Sequence, residues 1–381
     1  MTGDPQQEYF SDGMAEQLIT GLSQTPDIYV TARTSSFAYK GKSMTAQQIA
    51  EQLGVRYLLE GSVQRDADKV RINVQLIDGR NGNHIWSERF DRKFEDLFAL
   101  QDQITMEVMA FFNVKFMVGA SASVKFSRPN NLQAYEYYLK GTYHIYRRTP
   151  QDSLTARQMF QESINLDPNF GVAFRGLGYA LADEVWFRTT KSVEKSIEQA
   201  EQAAENFRAL TPDQPPPYPL LSQLSVLKKD WDNAILYGEK AIELNPNEAQ
   251  AYFSLGMALR IAGRYEEAIV NIETALRLAP LNPLHYVNNL AWSCLGNKQY
   301  DKAILLWSET LERNPNYLFA YQGLTAAYEF SGNHQKACWA AENVMRVNPK
   351  FFIAIEEKMS PLRDEAFEKR LFDAYRSAGL K

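Results

Sequence analysis

The sequence predicts a chain in two parts. An α/β sandwich with a mixed sheet is expected over residues 1–115 and an all-α repeat solenoid over residues 131–351. Two observations carry this reading. Prolines recur at Pro168, Pro212, Pro246, Pro280, Pro315 and Pro349, the last four intervals being 34, 34, 35 and 34 residues, and an alanine stands twelve residues before each: Ala156, Ala200, Ala234, Ala268, Ala303 and Ala337. A fixed period in this range marks supersecondary units that stack on one another. Upstream there is no such period. Instead Val70, Ile72, Val74 and Leu76 alternate with Arg71, Asn73 and Gln75, which turns one face of a strand inward.

The first part divides into seven elements. "SDGMAEQLITGLSQ" is a helix expected to be capped at Ser11 or Asp12. "DIYVTA" is β-rich and of strand length. "TAQQIAEQLG" is a short helix with a Thr45/Gln48 capping box and Gly54 as its stop. "RYLLEGSVQRD" and "KVRINVQLID" are strands joined through Asp66-Ala67-Asp68, and "HIWSERFDR" is a third strand after the turn "GRNGN". "FEDLFALQDQITMEVMAFF" closes the order α-β-α-β-β-β-α as a long amphipathic helix. Residues 116–130 read as a linker.

In the second part, leucines recur at Leu221, Leu255, Leu290 and Leu324, followed by Ser222, Gly256, Ala291 and Thr325. The clearest copy is "AYFSLGMALRIAGRYEEAIVNIETALRLAPLNP", with Leu255-Gly256, Leu259, Gly263, Tyr265, Ala268, Ala275 and Pro280. It resembles the tetratricopeptide repeat, a helix–turn–helix unit of about 34 residues. Small residues at Gly256 and Ala268 let two helices cross closely, Gly263 marks the turn between them, and Pro280 follows the second helix. The resemblance implies a right-handed α-solenoid of about six units: 131–169, 170–213, 214–248, 249–282, 283–317 and 318–351. The first is expected to carry a long loop, "RRTPQDSLT". The second holds about ten extra residues around "ADEVWFRTTKS", and the prolines of "TPDQPPPYPLL" shorten the first helix of the third. Residues 352–381 read as an amphipathic capping helix.

Residues 1–115 resemble the TolB-like domain that accompanies tetratricopeptide repeats in bacterial multidomain proteins. The phrases that carry the likeness are "GDPQQEYFSDGMAEQLITGLS", "TARTSSFAYKGK", "LGVRYLLEGSVQR", "VQLIDGRNGNHIWSERFDR" and "DLFALQDQIT". The family's first strand precedes a phrase in which Met1 already lies, so the resemblance implies a missing strand and an open sheet edge, which either residues 1–10 rearrange to cover or two copies close by pairing through it. It also implies that a class III adenylate cyclase or winged-helix domain precedes such an arrangement in relatives. "SFAYKGKS" ends like a phosphate-binding loop, but Ser36 stands where the motif needs its first glycine and Phe37 and Tyr39 crowd the turn. The family places this stretch in a loop with no nucleotide site.

No catalytic, cofactor or metal site is expected. His84, His144, His285 and His334 lie on separate elements, Cys294 and Cys338 give no disulfide framework, and no Cys/His nucleophile arrangement is read from the spacing. A net charge of −5 without a basic run argues against nucleic acid as partner, no apolar stretch reaches membrane-spanning length, and the start lacks a signal peptide, so a cytoplasmic location is expected. What remains is surface. In the tetratricopeptide family the first helix of each repeat lines a concave groove. The equivalent residues here are Phe253, Met257 and Arg260, then His285, Asn288 and Trp292, then Phe319, Gln322, Glu329 and Phe330. Of the family's basic carboxylate clamp only Asn289 is present, so the expected ligand is an apolar peptide or helix of a protein partner. The expected function is a non-catalytic interaction scaffold with the TolB-like domain as docking or sensing module. The alternatives are the regulatory region of a cyclase and a cell-envelope assembly factor.

Overall fold

The computed structural model describes residues 8–23, 30–31, 33–66, 68–111, 129–246, 248–279 and 283–381. They are mostly helical, with one small sheet, and the chain divides into two compact units, Met1–Leu220 and Leu221–Lys381.

The first unit opens with α1 (Glu8–Ser23). Ser11 and Asp12 do not cap this helix. It starts earlier, which brings Phe10 into the core; Ser11 Oγ donates to the Glu8 carbonyl at 3.0 Å and the Asp12 carboxylate pairs with Lys40. The strand expected at "DIYVTA" falls on residues of which only Val30 and Thr31 are described, and neither is in a strand. "SSFAYKGK" is not an open loop: α2 (Arg33–Phe37) runs into a turn in which Gly41 has φ 76°. α3 (Ala46–Leu53) carries the reciprocal Thr45/Gln48 capping box and ends on Gly54 at φ 66°. β1 (Tyr57–Asp66), β2 (Lys69–Asp78) and β3 (Asn83–Lys93) form an antiparallel meander. The mixed sheet expected from sequence is therefore, among the described residues, wholly antiparallel. Val70, Ile72, Val74 and Leu76 of β2 are all buried, and a register shift after Leu76 turns Ile77 inward as well. A 3-10 turn (Phe94–Asp96) leads into α4 (Leu97–Phe111).

Four further helices complete this unit: α5 (Leu132–Ile145), α6 (Pro150–Leu166), α7 (Gly171–Trp186) and α8 (Val193–Leu210). The long loop expected before α6 is short, because Thr149 caps the helix and Pro150 occupies its first turn, where a missing N–H costs nothing. A single apolar cluster runs from Phe10, Met14, Val70, Ile72 and Ile104 to Tyr135, Leu139 and Phe160. Gly13 lets α1 approach α5: a Cβ there would lie 2.3 Å from Leu139. Charges are buried beside this core. Arg33 Nε lies 3.2 Å from Glu16 and its guanidinium 3.9 Å from the Tyr146 ring centroid. Glu184 is almost fully buried, with Oε2 accepting from Arg157 at 2.9 Å.

Most of α9 (Tyr218–Leu227) and all of α10 (Trp231–Leu244), α11 (Ala249–Ile261), α12 (Tyr265–Leu278), α13 (Leu284–Gly296), α14 (Tyr300–Arg313), α15 (Leu318–Phe330) and α16 (His334–Val347) belong to the second unit. α11 packs on α12, α13 on α14 and α15 on α16, as the repeat pattern requires. α9 has only ten residues, in keeping with the prolines before it. Each of the six periodic alanines is 0% exposed. At Gly256 a Cβ would meet Ile272 Cγ1 at 2.5 Å and the Ala268 carbonyl at 3.3 Å. The turn between paired helices repeats too. Lys229, Gly263, Lys298 and Gly332 have φ of 60°, 82°, 61° and 80°, and each is followed by a residue whose N–H reaches back five positions, as Arg264 does to Leu259 and Gln299 to Cys294. The turn demands a left-handed residue whether or not glycine is there.

Three outcomes follow from this packing. Gly256→Val forces a branched side chain against Ile272 and the α12 backbone, and is expected to lower stability by about 2–3 kcal/mol in denaturant melts. Lys298→Gly removes the left-handed penalty of about 1–2 kcal/mol but loosens the unfolded chain, so a net gain of about 0.5–1 kcal/mol is expected in the same assay. Burial raises the Glu184 carboxyl above its ordinary value, against the pull of Arg157. Between its ordinary and raised pKa the folded chain keeps a proton that the unfolded chain has lost, so stability falls as pH rises through that window. Glu184→Gln is expected to flatten this part of a melting-temperature profile without loss of stability at pH 7; an unchanged slope would show that Glu184 does not contribute to it.

Candidate functional site

All ten residues singled out from sequence lie on α11, α13 and α15, and the structure divides them. Phe253 and Met257 are 6% and 7% exposed. The Phe253 ring stacks on Tyr286 at 4.2 Å between centroids and meets the edge of His285 at 5.1 Å, so α11 and α13 are locked by aromatic contact. Arg260 Nε donates to Asn289 Oδ1 at 3.0 Å across the same pair of helices. Desolvation pulls the Arg260 pKa down to about 10, which leaves it charged at neutral pH.

Two of the residues expected in a groove serve the core instead. Asn288 is buried and its Oδ1 accepts from Trp307 Nε1 at 3.0 Å, while Trp292 packs edge-on against the Trp307 ring at 5.2 Å. Trp307, on α14, is fully buried, so these side chains satisfy a core tryptophan. Gln322 is buried as well, whereas Arg260, His285, Phe319 and Glu329 keep part of their surface open.

Phe330 is covered by the chain's own C-terminus. Residues 352–381 form two helices, α17 (Ile353–Met359) and α18 (Glu365–Ser377). α18 packs against α15, with Phe367 edge-on to Phe330 and the Arg370 guanidinium 3.8 Å from the Phe330 ring centroid. The segment before it crosses earlier repeats. Trp231 Nε1 donates to the Pro361 carbonyl at 2.8 Å, Arg363 N–H donates to the Ile261 carbonyl at 2.9 Å, and Tyr265 O–H donates to Asp364 at 3.1 Å. The amphipathic pattern of α18 was visible in the sequence; the surface it covers was not.

The four histidines do lie on separate elements, but one of them has a cysteine at ligand spacing. His334 and Cys338, four residues apart on α16, stand with Nε2 3.5 Å from Sγ, and His334 Nδ1 lies 2.6 Å from Glu329 Oε1. The spacing of four was the signal missed. His334 is largely exposed, and the contact sits on an open helix face. Cys294 is different: burial pushes its thiol up to about 11, which keeps it protonated at neutral pH. Among the described residues no group of three or more His, Cys, Asp or Glu side chains is placed to hold a metal ion, and no helix is long and apolar enough to cross a membrane.

Two family descriptions match the chain. Residues 4–107 match the second domain of HilA/YgeH-like transcriptional regulators, and residues 237–270 match the tetratricopeptide repeat. The chain is 34% identical over 269 residues to a protein named putative adenylate cyclase 3 of Rhizobium meliloti (strain 1021), a match covering 70% of this chain and 40% of that protein. It is 22% identical over 321 residues to the transcriptional regulator HilA of Salmonella typhimurium, covering 81% of this chain and 56% of that one. The chain thus spans roughly half or less of the length of these relatives. Among solved structures, the Cut9 and Hcn1 hetero-tetramer of the APC/C is similar with a TM-score of 0.46 and 18% identity, over 68% of this chain and 52% of that chain. The match at 237–270, together with the buried alanine of each period, establishes tetratricopeptide repeats in this chain.

Proposed function

We propose that this chain is a non-catalytic scaffold whose repeats, about six in number, hold a segment of a partner protein. The observation that carries the reading is the tetratricopeptide match on a stack of helix pairs closed at 0% exposed alanines. Repeats of this kind offer side chains on a rigid frame rather than reacting groups. The open part of the first-helix face, Arg260, His285, Phe319 and Glu329, would meet an apolar peptide or helix with a polar rim. The N-terminal part, read as TolB-like, would be a second docking or sensing module.

A second reading is favoured by the relatives. One is named for a cyclase and another for a transcriptional regulator, two different outputs. A region similar to both fits a regulatory part shared between them, and here it would be the regulatory region of a cyclase-type protein.

Partner capture on immobilised chain, compared with Arg260→Glu/Phe319→Asp, tests the first reading. The doubly substituted chain is expected to lose about tenfold or more in affinity for the captured protein, with helicity unchanged. Retained capture would sink the groove as the binding face. Cyclic-nucleotide formation from ATP by the purified chain is expected to be absent, and turnover that co-purifies with it would overturn the non-catalytic reading.

A further inference from the structure

The second helices of the last four repeats carry an outward feature that the packing uses only at its last step, where Trp339 meets the Tyr321 ring edge-on at 5.9 Å. Leu236, Val270, Leu305 and Trp339 each stand two residues after the periodic alanine, on α10, α12, α14 and α16. They are 41%, 60%, 57% and 48% exposed. The alanine faces the partner helix of its own repeat, and a residue two positions on is turned away from it by about 200°. In the first two periods the same position holds Gln158 and Gln202. Four consecutive repeats therefore present one large apolar side chain each, about half exposed even where Trp339 also touches Tyr321.

Acids frame these side chains. Four residues before and three after lie on the same helical face. Asp232 and Glu239 flank Leu236, Glu266 and Glu273 flank Val270, Asp301 precedes Leu305 and Glu342 follows Trp339, all exposed. The positions three before and four after add Glu267 and Glu309 and three lysines, Lys240, Lys302 and Lys336, and Asp232 already meets Arg363 at 3.1 Å, so acids outnumber bases around the four side chains without excluding them. Nearby lysines are turned to other partners: Lys302 Nζ bridges to Glu273 at 2.8 Å, and Lys240 and Lys336 lie over the rings of Tyr237 and Tyr328. The Lys302 to Glu273 bridge also joins α14 to α12, so successive steps of the ladder are neighbours.

We infer that this face of repeats three to six is a second docking surface, and that its occupant is a basic amphipathic helix of a partner protein. Charge complementarity selects the partner: apolar side chains fill the ladder while Lys or Arg on either side meet the acidic frame. Helices pack on the order of 10 Å apart, and seven residues of a helix rise about 10 Å. A partner helix lying across the repeats would thus bring one apolar residue to each repeat about every seventh position. The acidic frame disfavours nucleic acid and anionic lipid on the same face. This surface is separate from the first-helix groove, and its test does not depend on the groove being used.

The probe is a synthetic helix of about 28 residues with leucine at every seventh position and lysines beside it, compared with a scrambled peptide of the same composition. Binding to the full chain is followed by calorimetry and tryptophan emission at low and high salt. The heptad peptide is expected to bind at least about tenfold more tightly than the scrambled one, to weaken with salt, and to lose about tenfold on Val270→Glu/Leu305→Glu. Val270→Ser/Leu305→Ser is expected to give a smaller loss in the same direction, and Arg260→Glu/Phe319→Asp none. Equal binding of the scrambled peptide, or no effect of either pair at 270 and 305, would overturn the proposal. Concentration-dependent dimerisation in sedimentation that Val270→Glu/Leu305→Glu abolishes would assign the face to a second copy of the chain and likewise overturn it.

Discussion

The repeats depend on one steric constraint: a small, fully buried residue stands where the two helices of a pair pack closely. Ala156, Ala200, Ala234, Ala268, Ala303 and Ala337 are each 0% exposed. A bulkier side chain there would push the helix pair apart and misplace every later contact, because interiors are close-packed. The same limit acts from the other helix at Gly256, whose missing Cβ leaves room for Ile272. Gly323 does the same for Trp307, where a Cβ would lie 2.2 Å from the indole. That close fit keeps Trp307 fully buried and lets its N–H find Asn288. A polar atom in the middle of the stack is therefore satisfied by the neighbour that the spacing delivers.

Sequence exposes constraints that are local and repeated. The alanine and proline register, the capping box at Thr45 and Gln48, the alternation along β2 and the stop at Gly54 could all be read, because each depends on residues within a turn or two. Long-range pairing could not be read. Asn288 and Asn289 are adjacent and chemically identical, yet one satisfies a buried indole and the other takes a guanidinium from the previous repeat. Which of them met the core depended on the rotation of α13 against its neighbours. The helix of 365–377 showed its apolar face but not the repeats it lies on. The Glu8, Asp12 and Lys40 cluster joins α1 to a turn 28 residues downstream of Asp12, a distance over which charge pattern carries no address.

The first-helix face is consequently less open than its family position implies. Phe253 and Met257 are closed by packing, Asn288 and Trp292 serve the core, and Phe330 lies under α18. The open side chains left on that face are polar or half-buried, while exposed bulky apolar groups sit at one step per repeat on the opposite helices. In this chain the distribution of apolar surface, rather than the family's habit, marks where association would release the most ordered water.

The C-terminal segment also changes how the second unit comes apart. A stack in which each repeat touches only its neighbours melts by fraying, and folding can nucleate anywhere along it. Here the Trp231 to Pro361 bond joins residues 130 apart, and the same segment reaches Ile261, Tyr265 and Phe330. Such a strap ties three repeats together, so the loss of one is felt by the other two and the unit gains cooperativity. It also raises the mean separation of contacting residues, the quantity that slows folding. During synthesis the early repeats of this unit would remain a loosely coupled string until residues 361–377 had left the ribosome and closed across them.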